Sequence, residues 1–293
     1  MTNKVGMTDR FIIGCGYLGR RVAAQWIAEG HRVYALTRSE TNARRLKQMG
    51  IQPLRGDIMS PKTLPAFPQV AQVLYAVGFD RQSGYDIEEI YVEGLKNVVA
   101  NFSESLEQFI YISSTGVYGQ TDGRWVTEQS ETNPTRPGGR ACLEAEKYLL
   151  SGRLRERTTV LRLAGIYGPN RVPRLEQIKT GNPLAIPQDG WLNLIHVSDA
   201  VTVVNKMLQQ RPLENCYLVA DGNPVKRGDY LSEIASNLGA PPVTFTTPDP
   251  DTAVAKRASG TKRINNQRLT SEFAIDWQYP SYRQGLANIL RNL

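Results

Sequence analysis

The segment Gly14-Cys15-Gly16-Tyr17-Leu18-Gly19 constrains this chain more than any other. It follows the apolar run FIIG, which starts at Phe11, and leads directly into a helical pattern with apolar Leu18, Val22 and Ile27 that closes at Gly30. Three glycines at this spacing have separate physical tasks. The first permits a tight turn, the second lets backbone approach a pyrophosphate, and the third allows a helix to pack closely on a strand. The unpaired N–H groups at the start of the helix then point toward negative charge.

Further β-branched runs continue the series: HRVYALT, QPLRGD, QVLYAVG, FIYISS and TTVLRLAGIYG. Helical patterns separate them, including a long one from Tyr85 to Phe102 and another from Pro137 to Leu150. This alternation predicts an α/β fold, a Rossmann-type doubly wound parallel sheet of six strands. From about Arg171 the pattern changes. Pro173, Pro183, Pro187 and the Asp189-Gly190 pair break the chain into short elements. The reading is a dinucleotide-binding domain over 8–170 and a small C-terminal substrate lobe over 171–293. The strand and helix around 191–220 are expected to return to the first domain, with Ser198, ahead of Asp199, as the helix N-cap. PPVTFTTPDPD is expected to be a loop.

The 293 residues, 41% of them hydrophobic, suffice for a full core. No apolar run reaches the roughly 18 residues needed to span a bilayer, and the first ten residues lack a secretory apolar stretch. A cytoplasmic protein without membrane attachment is expected. Three cysteines without CxxC spacing and two separated histidines predict no disulfide framework and no metal site. The net charge of +7 is scattered, which fits solubility and attraction for an anionic cofactor ahead of a nucleic-acid surface.

At the end of the second strand the acidic residue that would accept from the 2′-hydroxyl of NAD is absent. Thr37-Arg38-Ser39 stands there, and an arginine at that point holds a 2′-phosphate. NADP is therefore expected ahead of NAD, the other reading of Arg38 being a solvated loop residue.

Several motifs together resemble the extended short-chain dehydrogenases of the NAD-dependent epimerase/dehydratase type. These are the glycine loop, ISSTGVYG from Ile112 to Gly119, LRLAGIYGP from Leu161 to Pro169, and IHVSDA from Ile195 to Ala200. The resemblance runs from Gly14 to the KRINNQRL segment at Lys262. It implies cofactor contacts at Gly14, Gly16, Tyr17, Leu18, Gly19, Thr37, Arg38, Asp57, Ile58, Ala76, Val77, Gly78 and Ile166. Aligned on Val117-Tyr118-Gly119, Ser114 falls on the family's catalytic serine or threonine, which bonds the substrate oxygen. Such proteins often dimerise through helices like those at Tyr85–Phe102 and Gly138–Leu150, so a homodimer is an open expectation.

The family's tyrosine and lysine, four residues apart, are replaced. In PGGRACLEAE those positions are Gly138 and Cys142, with Arg140, Leu143, Glu144 and Glu146 retained. The family asparagine on the preceding helix is Tyr91, and the arginine that grips a nucleotide-sugar diphosphate is Leu192. The pattern is closest to the atypical members that lack the Tyr-x-x-x-Lys pair. Two classes of function follow as expectations. One is an NAD(P)-dependent oxidoreductase or epimerase/dehydratase-like enzyme acting on a small hydroxyl or carbonyl compound, with Ser114 orienting the substrate oxygen. The other is a non-catalytic NADP-binding sensor or scaffold, in which Ser114 merely caps a strand end. Tyr91 and Tyr85 are candidate replacement proton donors. Tyr118 and Tyr167 read as packing residues, Cys142 as an inert buried thiol, and His31 and His196 as structural. Arg171 and Arg174 either bind an anionic group or are solvated.

Overall fold

A computed structural model describes residues 8–293 apart from 104, 250, 253–254 and 256–259. The first seven residues of the N-terminal stretch and Pro250 of the proline-rich segment lie outside the described residues. Seven parallel strands form the central sheet: β1 Asp9–Ile13, β2 Arg32–Thr37, β3 Gln52–Arg55, β4 Gln72–Tyr75, β5 Gln108–Ser114, β6 Thr158–Leu163 and β7 Cys216–Val219. Their order is β7-β6-β5-β4-β1-β2-β3. The order reverses beside β1, where β4 and β2 flank it in register at Ile13↔Tyr75 and Ile13↔Leu36. Doubly wound folds place a ligand crevice at such a reversal, beyond the carboxyl ends of the strands.

The seventh strand, Cys216–Val219, goes beyond the six expected. Its run CYLV is short and comes more than 50 residues after β6, so it gives no repeating strand-helix signal of its own.

Contacts divide the chain into two units. The first takes residues up to Ser113 together with Arg140–Leu161 and Val204–Cys216. Its core is built from Phe11, Ile13, Val73, Tyr75, Phe109 and Val160 on strands, with Leu95, Val98, Ala145 and Leu149 packed from helices. Phe11, Phe67 and Phe102 meet in edge and tilted ring contacts at 5.0–6.2 Å. Two helices follow the first strands, α1 Tyr17–Ala28 and α2 Glu40–Gln48. The expected long helix is made of a π segment, Glu89–Glu93, that runs into α3 Gly94–Val99. Residues 81–85 form turns and bends, and the helical stretch begins two residues after Tyr85. α4 spans Pro137–Ser151, with proline at its first position where no backbone donor is needed.

The second unit comprises Ser114–Gly139, Arg162–Val203 and Tyr217–Leu293. Its core joins Tyr167, Leu184, Leu194, Tyr230, Ile234, Leu286 and Ile289. The helix Tyr282–Arg291 starts with a capping box between Ser281 and Gln284. It packs so closely that a Cβ on Gly285 would lie 2.2 Å from the Tyr167 hydroxyl. The helix over Val197–Gln209 begins one residue before Ser198, so Ser198 lies inside its first turn. The cap is His196, whose Nδ1 accepts the Ser198 N–H at 3.2 Å. A ring nitrogen here does what the sequence reading assigned to a serine hydroxyl.

Candidate functional site

The first unit contains a cleft of about 430 Å³ at the sheet's reversal point. Its floor is Ile13 and the loop Gly14-Cys15-Gly16, and its walls are Leu36 to Arg38, Gly56 to Met59 and Ala76 to Asp80. The local chemistry explains why this loop is glycine. Gly14 has φ +89°, and a Cβ there would lie 2.4 Å from the Ala76 carbonyl carbon and the Val77 nitrogen. Gly19 sits where a Cβ would be 2.8 Å from the Gly14 carbonyl oxygen, so α1 approaches β1 only without one. Gly16 differs from both. A Cβ there meets no protein atom within 4 Å, so protein packing alone does not demand glycine at that position.

Gly16 is also the N-cap of α1, and no side chain caps the helix. The first-turn N–H groups therefore retain their capacity to bond an anion. The donor set, the backbone turn and the space over Gly16 all fit a pyrophosphate.

Of the residues assigned to the cofactor from sequence, Gly14, Gly16, Thr37, Arg38, Asp57, Ile58, Ala76, Val77 and Gly78 line this cleft. Tyr17, Leu18 and Gly19 form the first turn of α1. Leu18 is buried, and the Tyr17 ring lies under the Arg21 guanidinium at 4.0 Å. Ile166 belongs to the second unit, in the short strand Gly165–Tyr167 paired with Leu194–His196. Thr37 Oγ1 accepts from Asn42 Nδ2 at 2.8 Å, and Asp57 Oδ1 accepts the Met59 N–H at 2.9 Å. Arg38 Nη2 donates to Asp80 Oδ2 at 3.1 Å on the cleft rim.

Arg20, Asn42, Met59, Phe79, Asp80 and Ile90 also line the cleft, outside the residues expected from the sequence. Arg20 had a readable signal. It lies four residues after Gly16, and its N–H closes the first helical bond to the Gly16 carbonyl at 3.1 Å. Ile90 is set by the π segment, which widens the helix there and has no sequence marker.

Cys142, Tyr91 and Ser114 have definite surroundings. Cys142 is buried in the first unit, and burial, with Glu146 adding to it, pushes its thiol up to about 12. Ser113 Oγ donates to the buried Glu146 carboxylate. The Tyr91 hydroxyl accepts the Phe79 N–H at 3.2 Å, and burial raises its pKa, so it keeps its proton at neutral pH. In the second unit Ser114 Oγ accepts the Gly116 N–H at 3.0 Å and caps the short turn Thr115–Val117. Its own O–H remains a donor. A Cβ on Gly139 would lie 2.2 Å from the Gly116 carbonyl oxygen, so the start of α4 closes directly on the turn that Ser114 caps.

Lys262 is buried beside these elements, with Nζ donating to the Tyr118 carbonyl at 2.9 Å. Burial, reinforced by the charge of Arg136, lowers its pKa to about 8. The Tyr118 hydroxyl donates to the Thr127 carbonyl and accepts from Arg162, which agrees with a packing role.

Comparison with known families decides the assignment: the model of the NAD dependent epimerase/dehydratase family matches residues 11–220. The chain belongs to this family. Protein YeeZ of Escherichia coli K12 is 26% identical over 278 residues, covering 92% of this chain and 95% of YeeZ. A 4-hydroxy-2-methyl-3-oxo-4-farnesyl-3,4-dihydroquinoline-1-oxide ketoreductase of Stigmatella aurantiaca is 26% identical over 243 residues, covering 77% of this chain and 72% of that protein. A solved structure of a conserved protein of unknown function from Silicibacter pomeroyi superposes with a TM-score of 0.83 at 27% identity, covering 98% and 99% of the two chains. The epimerase/dehydratase family thus supplies the frame in which the cleft is read. Among the described residues no helix is long and apolar enough to cross a membrane.

Proposed function

We propose that this chain is an NADP-preferring oxidoreductase of the epimerase/dehydratase family that acts on a small hydroxyl or carbonyl compound in the cytoplasm. The observation that carries the reading is the cleft around Gly14 and Gly16, with an uncapped helix N-terminus at one end and Arg38 on its rim. Gly14, Gly16 and the first turn of α1 would hold the pyrophosphate. Asp57, Ile58 and the Ala76-Val77-Gly78 segment would flank the adenosine, and Arg38 would meet a 2′-phosphate. The cofactor supplies or accepts the hydride, and the protein's work is orientation.

Ser114 is the candidate for bonding the substrate oxygen. With its Oγ already accepting from Gly116 N–H, its proton is the group left to offer. A lone serine without a neighbouring base orients an oxygen and does not attack. The absence of tyrosine at Gly138 removes the usual proton donor, a contribution of about 10²–10⁴-fold in rate. Water or the substrate itself would then have to complete the proton transfer, and turnover would be slow.

A second reading, a cofactor-binding sensor without catalysis, is favoured by one observation. Cys142, at the family lysine position, is a buried thiol with a pKa pushed to about 12 and carries no charge at neutral pH. Calorimetric titration with NADP⁺, NADPH, NAD⁺ and NADH on the wild type and on Arg38→Ala tests the cofactor site. Preference for the phosphorylated forms that vanishes in the variant supports it. Steady oxidation of NADPH with a carbonyl panel, abolished by Ser114→Ala, supports the enzyme. Tight binding with no turnover supports the sensor.

A further inference from the structure

The cleft rim carries an acid as well as a base. The family-type acidic residue is absent after β2, yet Asp80, from the loop after β4, presents a carboxylate to the same rim as Arg38. Its two oxygens are differently engaged. Oδ1 accepts the Gln82 N–H at 3.0 Å, and the Asp80 carbonyl accepts the Ser83 N–H at 3.1 Å, which fixes the carboxylate in a local turn. Oδ2 faces Arg38 Nη2 at 3.1 Å, and both side chains are about half exposed, 45% for Arg38 and 50% for Asp80. The aspartate is thus the fixed partner, and the long arginine is the one free to swing.

We propose that Asp80 is a cofactor-selectivity residue: its anchored carboxylate competes for Arg38 and disfavours a ribose 2′-phosphate relative to a 2′-hydroxyl. The proposal rests on the dinucleotide reading of the cleft. A 2′-phosphate carries about −1.5 to −2 charges at neutral pH. To bind it, Arg38 must leave or share the carboxylate, and two anions then face one cation. A 2′-hydroxyl imposes no such conflict, because a carboxylate accepts an O–H while Arg38 stays in place. The carboxylate persists across the working pH range, since the Gln82 N–H, with Arg38 adding to it, holds the Asp80 pKa below its ordinary value. The chain is therefore expected to bind both dinucleotides, with a smaller preference for NADP than Arg38 alone would confer.

The test is a calorimetric comparison of NADP⁺ and NAD⁺ binding to wild type, Asp80→Asn, Arg38→Ala and the double variant. Asparagine retains an acceptor for the Gln82 N–H, and the site is exposed, so a thermal melt superimposable on wild type verifies the fold. Exposed ion pairs and screened charges of this kind are worth up to roughly a fivefold change in affinity. Asp80→Asn should raise the NADP⁺ to NAD⁺ affinity ratio by about that factor, and the gain should shrink on the Arg38→Ala background and in high salt. An unchanged ratio, with both dinucleotides binding, overturns the role of Asp80 and leaves the site reading intact. Failure of every dinucleotide to bind wild type overturns the site reading, and this inference with it.

Discussion

Gly14 and Ala76 touch backbone to backbone: the loop after β1 runs so close to the end of β4 that a Cβ on Gly14 would lie 2.4 Å from the Ala76 carbonyl carbon. Gly14→Ala therefore meets a clash and a strained φ of +89° together. The expected outcome is a loss of about 1–3 kcal/mol in stability, read by denaturant unfolding, together with loss of dinucleotide binding.

Gly16 makes the complementary case, since a Cβ there meets no protein atom within 4 Å. Gly16→Ala should leave the melting temperature close to wild type and weaken NADP⁺ binding by about tenfold, about 1.4 kcal/mol. Equal binding by Gly16→Ala and wild type would show that no phosphate approaches this loop.

The cysteines differ in accessibility. Burial pushes Cys15 and Cys142 each up to about 12, whereas Cys216 is partly exposed. At pH 8 the native protein should take up iodoacetamide at Cys216 first, with Cys15 and Cys142 protected until denaturant is added, as followed by intact and peptide mass. Rapid labelling of Cys142 in the native state would show a reactive thiol there and reopen a nucleophilic role for it.

Much of the cleft was legible because its physics is local. Three glycines, a strand before them and a helix after them fix the floor of the cleft within eleven residues, and Arg38 follows from its place at the end of β2. Asp80 was not legible, because an exposed aspartate in a loop has no sequence pattern until folding brings it to Arg38, 42 residues away. The same holds for the cap at Ser198. The sequence offers a serine of the right type, but the ring of His196 is already placed to accept that N–H. The π segment around Tyr91 and the short β7 were likewise invisible, since neither extends long enough to establish a period.

Trp26 and Asn205 show the same limit at longer range. The indole Nε1–H donates to Asn205 Oδ1 at 2.7 Å across 179 residues, with both side chains buried. Asn205→Ala leaves the indole donor without its acceptor in a dry site. The cost should be about 1–3 kcal/mol in chemical denaturation, larger than that of Trp26→Phe with Asn205→Leu, which removes both partners and keeps an apolar fill.

Asp221 adds to stability a pH dependence whose sign follows from its burial. Burial, opposed in part by the Asn223 N–H, raises this carboxyl from its ordinary value of 3.8 to about 7. The folded state therefore holds a proton between about pH 4 and 7 that the unfolded chain has released, and stability contributed by this group falls as pH rises through that window. Above pH 7 the buried carboxylate is charged in both states and the penalty is fully present. Asp221→Asn keeps an oxygen for the Asn223 N–H and removes the charge. It should raise stability at pH 8 by about 1–3 kcal/mol while changing it little at pH 4. The difference between variant and wild type, followed by urea unfolding from pH 4 to 8, should therefore grow with pH. A difference independent of pH would show that Asp221 does not titrate in this window.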